Sequence, residues 1–451
     1  MSTQRHVAII GNGIAGVTCA RHLRKADEHV KITLISGESK YFFSRTALMY
    51  IYMGHMKFEH TQPYENWFWE KNRIDLKQAW IKNVDYSNKT LHCENGDSIS
   101  YDQLVFAVGS KPNKFGWPGQ DLKGVQGLYS KQDLENMEAN TASNVKRAVI
   151  VGGGLIGIEM AEMLAYKKIP VTFLVRESGF WNNVLPKEES ELVDRHIQEH
   201  HIDLRLETEL EQIIGDSAGK VKAVKLKNGE EISCEFVGLT AGVSPNIDFL
   251  KNTELGTVRG IRVNRYFETN QPDVYAIGDC AEFDEAPAAD RRPIEQVWYT
   301  GRMHGETLAQ TLSGKRTKYQ PGIWFNSAKF LDIEYQTYGT VPPQFEGLGV
   351  QSFYWEHPNG KVSFRMLMNS DGQILGVNNF GFRLRHEFFD RAIKEGWSGK
   401  KVIQKLDKAN FDPEFFAPYY QLIQKKYLED FGGDFKVSKS SFIQKLFGAR
   451  V

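Results

Sequence analysis

The chain has 451 residues, 41% hydrophobic and 25% charged, and its 56 basic and 56 acidic side chains cancel to a formal net charge of zero. That length predicts two or three domains, and the balanced charge excludes a nucleic-acid binder that relies on a net positive field. The four cysteines, Cys19, Cys93, Cys234 and Cys280, form no Cys-x-x-Cys pair, so neither a thiol relay nor a structural zinc site is readable.

In chain order, an apolar run begins at residue 7, which predicts no secretory leader and points to a reducing cytoplasm. No apolar run approaches the ~20 residues of a membrane span. The run VAII at 7–10 leads into the turn GNGIAG, then a helical pattern IAGVTCARHLRK, then a second apolar run, VKITLIS at 30–36. The same order returns as AVIV at 148–151, the turn GGGLIG, the helical pattern LIGIEMAEMLAYKK and VTFLVR at 171–176. Each is strand, glycine turn, helix, strand, the spacing of a dinucleotide fold. Gly11, Gly13 and Gly16 carry the G-x-G-x-x-G spacing, and so do Gly152, Gly154 and Gly157. The first glycine permits the tight turn, the second admits a pyrophosphate, and the third lets helix and strand pack closely. The helix then offers its unpaired N–H groups to the phosphates.

The duplication extends further. NGDSISYDQLVFAVGSKPN at 95–113 and NGEEISCEFVGLTAGVSPN at 228–246 share Asn-Gly, Ile-Ser, an apolar strand and Gly-x-x-Pro-Asn at an offset of 133 residues. Asn-Gly suits a hairpin turn with positive φ. Two ordered matches at nearly one period predict two copies of one nucleotide-binding unit.

These motifs, with TNQPDVYAIGDCAEF at 269–283, resemble the FAD-dependent pyridine nucleotide oxidoreductases with two dinucleotide-binding domains. The resemblance spans roughly residues 5–312 and is nearest to the ferredoxin and rubredoxin reductase and NADH oxidase-like branch. It implies an α/β fold with two Rossmann-like domains: a discontinuous FAD domain (1–112 and 242–312), an inserted NAD(P) domain (113–241), and a C-terminal α+β domain with a helical tail (313–451) that often forms a dimer interface in relatives. The implied cofactor-binding residues are Gly11, Gly13, Ile14, Ala15, Gly16, Ser36, Glu38, Arg45, Ala107, Gly109, Gly152, Gly154, Leu155, Ile156, Gly157, Glu159, Arg176, Gly242, Gly278, Asp279 and Trp298. Asp279 takes the role of the aspartate on the ribityl chain of FAD. Glu159 matches the glutamate near the nicotinamide and flavin N5, and with Trp298 it is the expected catalytic residue.

Four departures from the family pattern matter. Ser36 and Gly37 stand where relatives place the acid for the adenosine ribose, leaving Glu38 as the nearest carboxylate, either reaching the ribose or solvated. Tyr50 stands where some reductases place a lysine that pairs with the Glu159 equivalent. Arg45, in FFSRTAL, occupies the position of the redox cysteine of the peroxide- and oxygen-reducing relatives, and resembles the FAD-holding arginine of the ferredoxin reductases. In the second copy, Val175 replaces the acid that selects NADH and Arg176 follows, a partner for a 2′-phosphate that Glu177 opposes; the reading leans to NADPH and leaves NADH open.

The resemblance therefore implies an NAD(P)H-dependent FAD oxidoreductase without a cysteine relay, passing electrons to a separate acceptor such as a ferredoxin- or rubredoxin-like protein. Two alternatives stand beside it: a membrane-surface quinone reductase, and a flavin-bound redox sensor or interaction protein. Trp298 either lines an electron exit or packs in the core, and Trp324 and Lys329 are placed to approach the flavin from a second subunit of a homodimer. From 313 to 380 the pattern predicts an antiparallel sheet and from about 383 helices. The last stretch, KSSFIQKLFGARV, is a basic amphipathic end suited to peripheral membrane contact or to packing on protein. No metal site is expected: His196 and His200 lie four apart on a predicted helix with no third ligand evident, as on a solvated face.

Overall fold

The computed structural model describes residues 4–142, 145–251, 253–411 and 418–438. The basic tail at 439–451 lies outside the described residues. The chain divides into two units, one built from Met1–Gly152, Met163–Val171 and Leu210–Pro321, the other from Gly153–Glu162, Thr172–Glu209 and Gly322–Val451.

In the first unit, the apolar runs pair as a five-stranded parallel sheet in the order Val274–Ala276, Gln103–Phe106, His6–Ile10, Lys31–Ser36, Ile74–Gln78. Its central strand reads HVAII and is buried throughout, as a strand covered on both faces must be. The helix Ile14–Ala26 packs on the helix Trp298–Leu312. Their approach is close because position 305 lacks a side chain: a Cβ on Gly305 would lie 2.5 Å from the Ala15 carbonyl oxygen.

The sequence repeat is a structural repeat. Ala148–Val151 pairs in parallel with Phe236–Leu239, as His6–Ile10 does with Gln103–Phe106. Both Asn-Gly hairpins form, with Gly96 and Gly229 each at φ +89. The two Gly-x-x-Pro-Asn segments then pair with each other: Ser110–Pro112 runs antiparallel to Val243–Pro245. Where the chain enters the second unit, Val171–Leu174 pairs in parallel with Asp203–Arg205. The fold is α/β with Rossmann-like parallel cores.

The second unit carries the expected antiparallel sheet, ordered Phe325–Phe330, Ile333–Gly339, Ile374–Phe380, Ser363–Met368, Gln351–Glu356. The helices His386–Lys394, Gly399–Gln404 and Tyr420–Phe431 follow it in sequence, with Phe389, Val402, Ile403 and Ile423 in the core they share with that sheet. The helix Lys187–Glu199 is tied to the sheet through Arg365, which is 1% exposed. Its guanidinium donates to Glu188 at 2.7 Å, Glu189 at 3.2 Å and Ser352 at 2.7 Å. A buried arginine is tolerable only with its donors satisfied in this way. No helix among the described residues is long and apolar enough to cross a membrane.

Candidate dinucleotide-binding sites

The first glycine turn is built by backbone contact. Gly11 sits at φ +110, and a Cβ there would lie 2.1 Å from the Ala107 carbonyl oxygen; a Cβ on Gly16 would lie 2.0 Å from the Gly11 carbonyl oxygen. Around Gly13 there is nothing within 4 Å. The second turn repeats the pattern: Gly152 is at φ +118 with Thr240 and Ala241 backbone 2.7 Å from a Cβ, and Gly154 faces open space. Ala107 and Thr240 are equivalent positions of the repeat, and their amides donate to Ile10 and Val151, each at 2.8 Å. Both turns thus close against the neighbouring strand and stay open at the middle glycine, the position a pyrophosphate needs.

Around the first turn the predicted residues form a connected polar site. The Asn12 side chain donates to the Ser39 carbonyl at 2.8 Å, tying the turn to the loop that carries Glu38. Glu38 is neither solvated nor free: Arg45 donates to its two oxygens at 2.8 and 2.7 Å, and the Lys131 amide donates to Oε1 at 2.8 Å. The Arg45 guanidinium also lies over the Phe43 and Tyr129 rings, 5.2 and 4.5 Å from their centroids. Asp279 Oδ2 accepts from the Ser110 hydroxyl at 2.9 Å and the Tyr129 hydroxyl at 3.3 Å. Burial raises the Asp279 carboxyl above the ordinary aspartate value against the pull of Ser110, Tyr129, Arg45 and His304. Gly109, at φ +68, leaves room for Tyr129, whose hydroxyl oxygen would be 2.9 Å from a Cβ; Gly242, at φ +90, borders Asn113. Ser36 closes its strand, its carbonyl accepting from the Ala79 amide at 3.0 Å. Trp298 is 38% exposed and opens the helix whose Gly301 lies against Ile14, so it stands at the surface and not in the core.

Two features here went unread in the sequence. Trp80 packs its ring against Gly37, where a Cβ would lie 2.0 Å from the indole, and the ring is 53% exposed. Behind Asp279 stands a buried network. The Gly278 amide donates to His304 Nδ1 at 3.1 Å, which puts the ring proton on Nε2, 3.2 Å from Glu295. Glu295 also accepts from Tyr319 at 2.9 Å and Arg291 at 3.0 Å. His304 and Tyr319 are fully buried, so this network fixes the Gly278 peptide and with it Asp279.

The helix Leu155–Tyr166 that follows the second turn carries Glu159. Burial pushes its carboxyl up to about 7, with Glu162 adding to the rise and Lys329 opposing it. Lys329 Nζ donates to Glu162 Oε1 at 2.8 Å. Lys329, from the C-terminal sheet of the same chain, thus brings a positive charge to the helix that carries Glu159. Arg176 is exposed and pairs with Glu177 at 2.8 Å, beside a fully buried Val175. All four cysteines are buried and unpaired, and burial pushes the Cys19, Cys234 and Cys280 thiols up to about 12.

The network behind Asp279 generates a test. In His304→Ala the Gly278 amide and Glu295 each lose a buried partner, at about 1–3 kcal/mol for each group left unsatisfied. The expected outcome is purified protein with at least about tenfold weaker FAD retention on dialysis, while Arg316→Ala, at the exposed Glu268 pair, retains FAD as the parent does.

Comparison with known proteins agrees with this geometry. The family profile described as pyridine nucleotide-disulphide oxidoreductase matches residues 5–305. The chain is 28% identical over 426 residues to the assimilatory nitrate reductase electron transfer subunit of Bacillus subtilis (strain 168), covering 93% of this chain and 52% of that protein, so it spans about half that relative's length. It is 31% identical over 320 residues to the rubredoxin-NAD(+) reductase of Acinetobacter baylyi (strain ATCC 33305 / BD413 / ADP1), covering 69% of this chain and 79% of that one. The ferredoxin reductase for the CYP199A2 system from Rhodopseudomonas palustris shares the fold, with a TM-score of 0.75 at 22% identity over 83% of this chain and 91% of that chain. The chain belongs to the pyridine nucleotide-disulphide oxidoreductase family.

Proposed function

We propose that the chain is an NAD(P)H-dependent FAD oxidoreductase that delivers electrons, without a sulfur intermediary, to a separate small iron–sulfur or rubredoxin-like protein. The observation that carries this reading is the pair of glycine turns, each open at its middle glycine. The half-buried Asp279 carboxylate and the Arg45–Glu38 pair beside the first turn are the groups that would hold FAD. When bound, FAD supplies a hydride acceptor that releases electrons singly or in pairs. The chain's own residues would bind and orient: the first turn and Asp279 would hold the flavin nucleotide and the second turn the nicotinamide nucleotide, with Glu159, on the helix after that turn, as the proposed neighbour of the nicotinamide. The names of the Acinetobacter and Bacillus relatives, a rubredoxin reductase and an electron transfer subunit, support a protein acceptor. The domain boundaries belong to the proposal: FAD domain at 1–112 and 242–312, NAD(P) domain at 113–241, C-terminal domain at 313–451. A cytoplasmic location suits four buried, unpaired cysteines.

The deciding experiment is an anaerobic titration of the yellow protein with NADPH and with NADH, followed by addition of ferredoxin, rubredoxin or a water-soluble quinone. Bleaching by one equivalent and fast reoxidation by an iron–sulfur or rubredoxin protein are expected. A colourless protein that takes up no FAD, or turnover with the quinone alone, contradicts the proposal.

Arg176 is proposed to favour NADPH through its 2′-phosphate. Loss of one charge-assisted contact is about 1.5–3 kcal/mol, so Arg176→Ala is expected to lower kcat/KM for NADPH about 10- to 100-fold with NADH unchanged. An equal fall for both coenzymes refutes that assignment.

Glu159 titrates near neutrality for the reasons given above, so its carboxylate accumulates as pH rises through about 7. The nicotinamide gains positive charge as hydride leaves, and a nearby carboxylate stabilises that charge. Flavin reduction is expected to quicken through pH 7 in the parent and to be flat there in Glu159→Gln, measured by anaerobic stopped flow.

A further inference from the structure

Of the two histidines read as a solvated face, His200 is exposed and His196 is buried. His196 lies on the helix Lys187–Glu199 with its side chain 1% exposed, and His200 follows one turn later at the helix end. Their rings meet edge to face, 4.6 Å between centroids. Both direct Nε2 at one oxygen of Asp332: His196 in a very short contact, His200 at 3.0 Å. Asp332 sits in the two-residue turn between the strands Phe330 and Ile333 close, 132 residues beyond His200. The third ligand missing from the sequence is thus supplied by the fold, and the three ligand atoms all lie within 4.8 Å of one another.

With both rings neutral, hydrogen bonding alone leaves this cluster unsatisfied. If both rings donate from Nε2 to Asp332, each carries its proton there, and Nδ1 of the buried His196 is left a bare acceptor. It has no hydrogen-bond partner; the nearest charged group is the Glu199 carboxylate, with Oε2 3.6 Å away. An acceptor facing a carboxylate is the wrong way round. A cation bound at Nε2 reverses the tautomer. The proton then sits on Nδ1 and points at Glu199, the carboxylate–histidine–metal arrangement that orients metal-bound imidazoles. Lys361 Nζ, 3.4 Å from the same Glu199 oxygen, holds that carboxylate in place.

We propose that His196 Nε2, His200 Nε2 and the Asp332 carboxylate form a binding site for a divalent cation of the zinc class, with Glu199 as the partner of His196 Nδ1. Two imidazoles and a carboxylate suit zinc and its first-row neighbours better than calcium or magnesium. Ligand atoms around tetrahedral zinc stand about 3.3 Å apart, a few tenths of an ångström from the 3.0 Å between His200 and Asp332. Asp332 is 62% exposed, which leaves water to fill the fourth position. The ion braces the end of the helix Lys187–Glu199 against the first hairpin of the C-terminal sheet, within the second unit.

The test uses the full-length, FAD-loaded protein, stripped with chelator and titrated with zinc chloride by calorimetry. Asp332→Asn and His200→Ala are the variants, because both side chains reach solvent and neither fills the core; FAD content and circular dichroism check their folding. The expected result is one zinc per chain in the parent, a rise in Tm on zinc addition, and affinity at least about tenfold lower in each variant. Absence of saturable zinc binding in the parent overturns the proposal, and so does parental affinity in either variant.

Discussion

A helix can offer its first amides to a pyrophosphate only if the chain turns into it without side chains between the strand, the helix and the ligand. The two parallel sheets meet that constraint in the same way. At Gly11 and Gly152 the backbone passes so close to the neighbouring strand end that a methyl group would overlap Ala107 or the Thr240–Ala241 peptide. The clearance is set from the other side by that strand, whose amide at Ala107 or Thr240 is fixed on Ile10 or Val151. The turn and the strand beside it are therefore one device, which is why both halves recur together in the chain.

What this device leaves unspecified is what binds at its far end, and the two copies differ there. The first is surrounded by groups that satisfy one another: Arg45 pairs with Glu38, and Asp279 accepts from the Ser110 and Tyr129 hydroxyls. Half-buried charges are stabilised by such partners. The pairing also sets their directions, because the Gly278 peptide is held by His304 and the Glu295 cluster behind it. The second copy ends in the exposed Arg176–Glu177 pair. An enclosed, pre-satisfied cradle suits a resident cofactor, and an exposed end suits a coenzyme that must leave each cycle.

Much of this was legible because it is local. The parallel strands, both glycine turns, both hairpins and the antiparallel C-terminal sheet follow from periodicity and turn residues within a dozen positions. The pairing of Ser110–Pro112 with Val243–Pro245 was half visible, since the repeat marked the two segments as equivalent without saying that they touch. The polar partners were not legible. His304 reaches Gly278 across 26 residues, Lys329 reaches Glu162 across 167, and Asp332 reaches His200 across 132. No local pattern encodes such pairs; they exist because packed sheets and helices bring distant positions together. Trp80 was missed for a related reason: Gly37 read as a lost acid, and only the fold shows that the glycine makes room for a ring.

The family takes its name from disulphide chemistry, and the four cysteines of this chain are all buried and unpaired. A thiolate at position 45 would need a positive neighbour to lower its pKa; instead the position holds a guanidinium paired with Glu38 and set between two aromatic rings. The remaining thiols cannot substitute, since each is buried, and desolvation disfavours the thiolate that electron transfer through sulfur requires. Trp298 stands exposed at the start of a helix that packs on the helix after the first glycine turn.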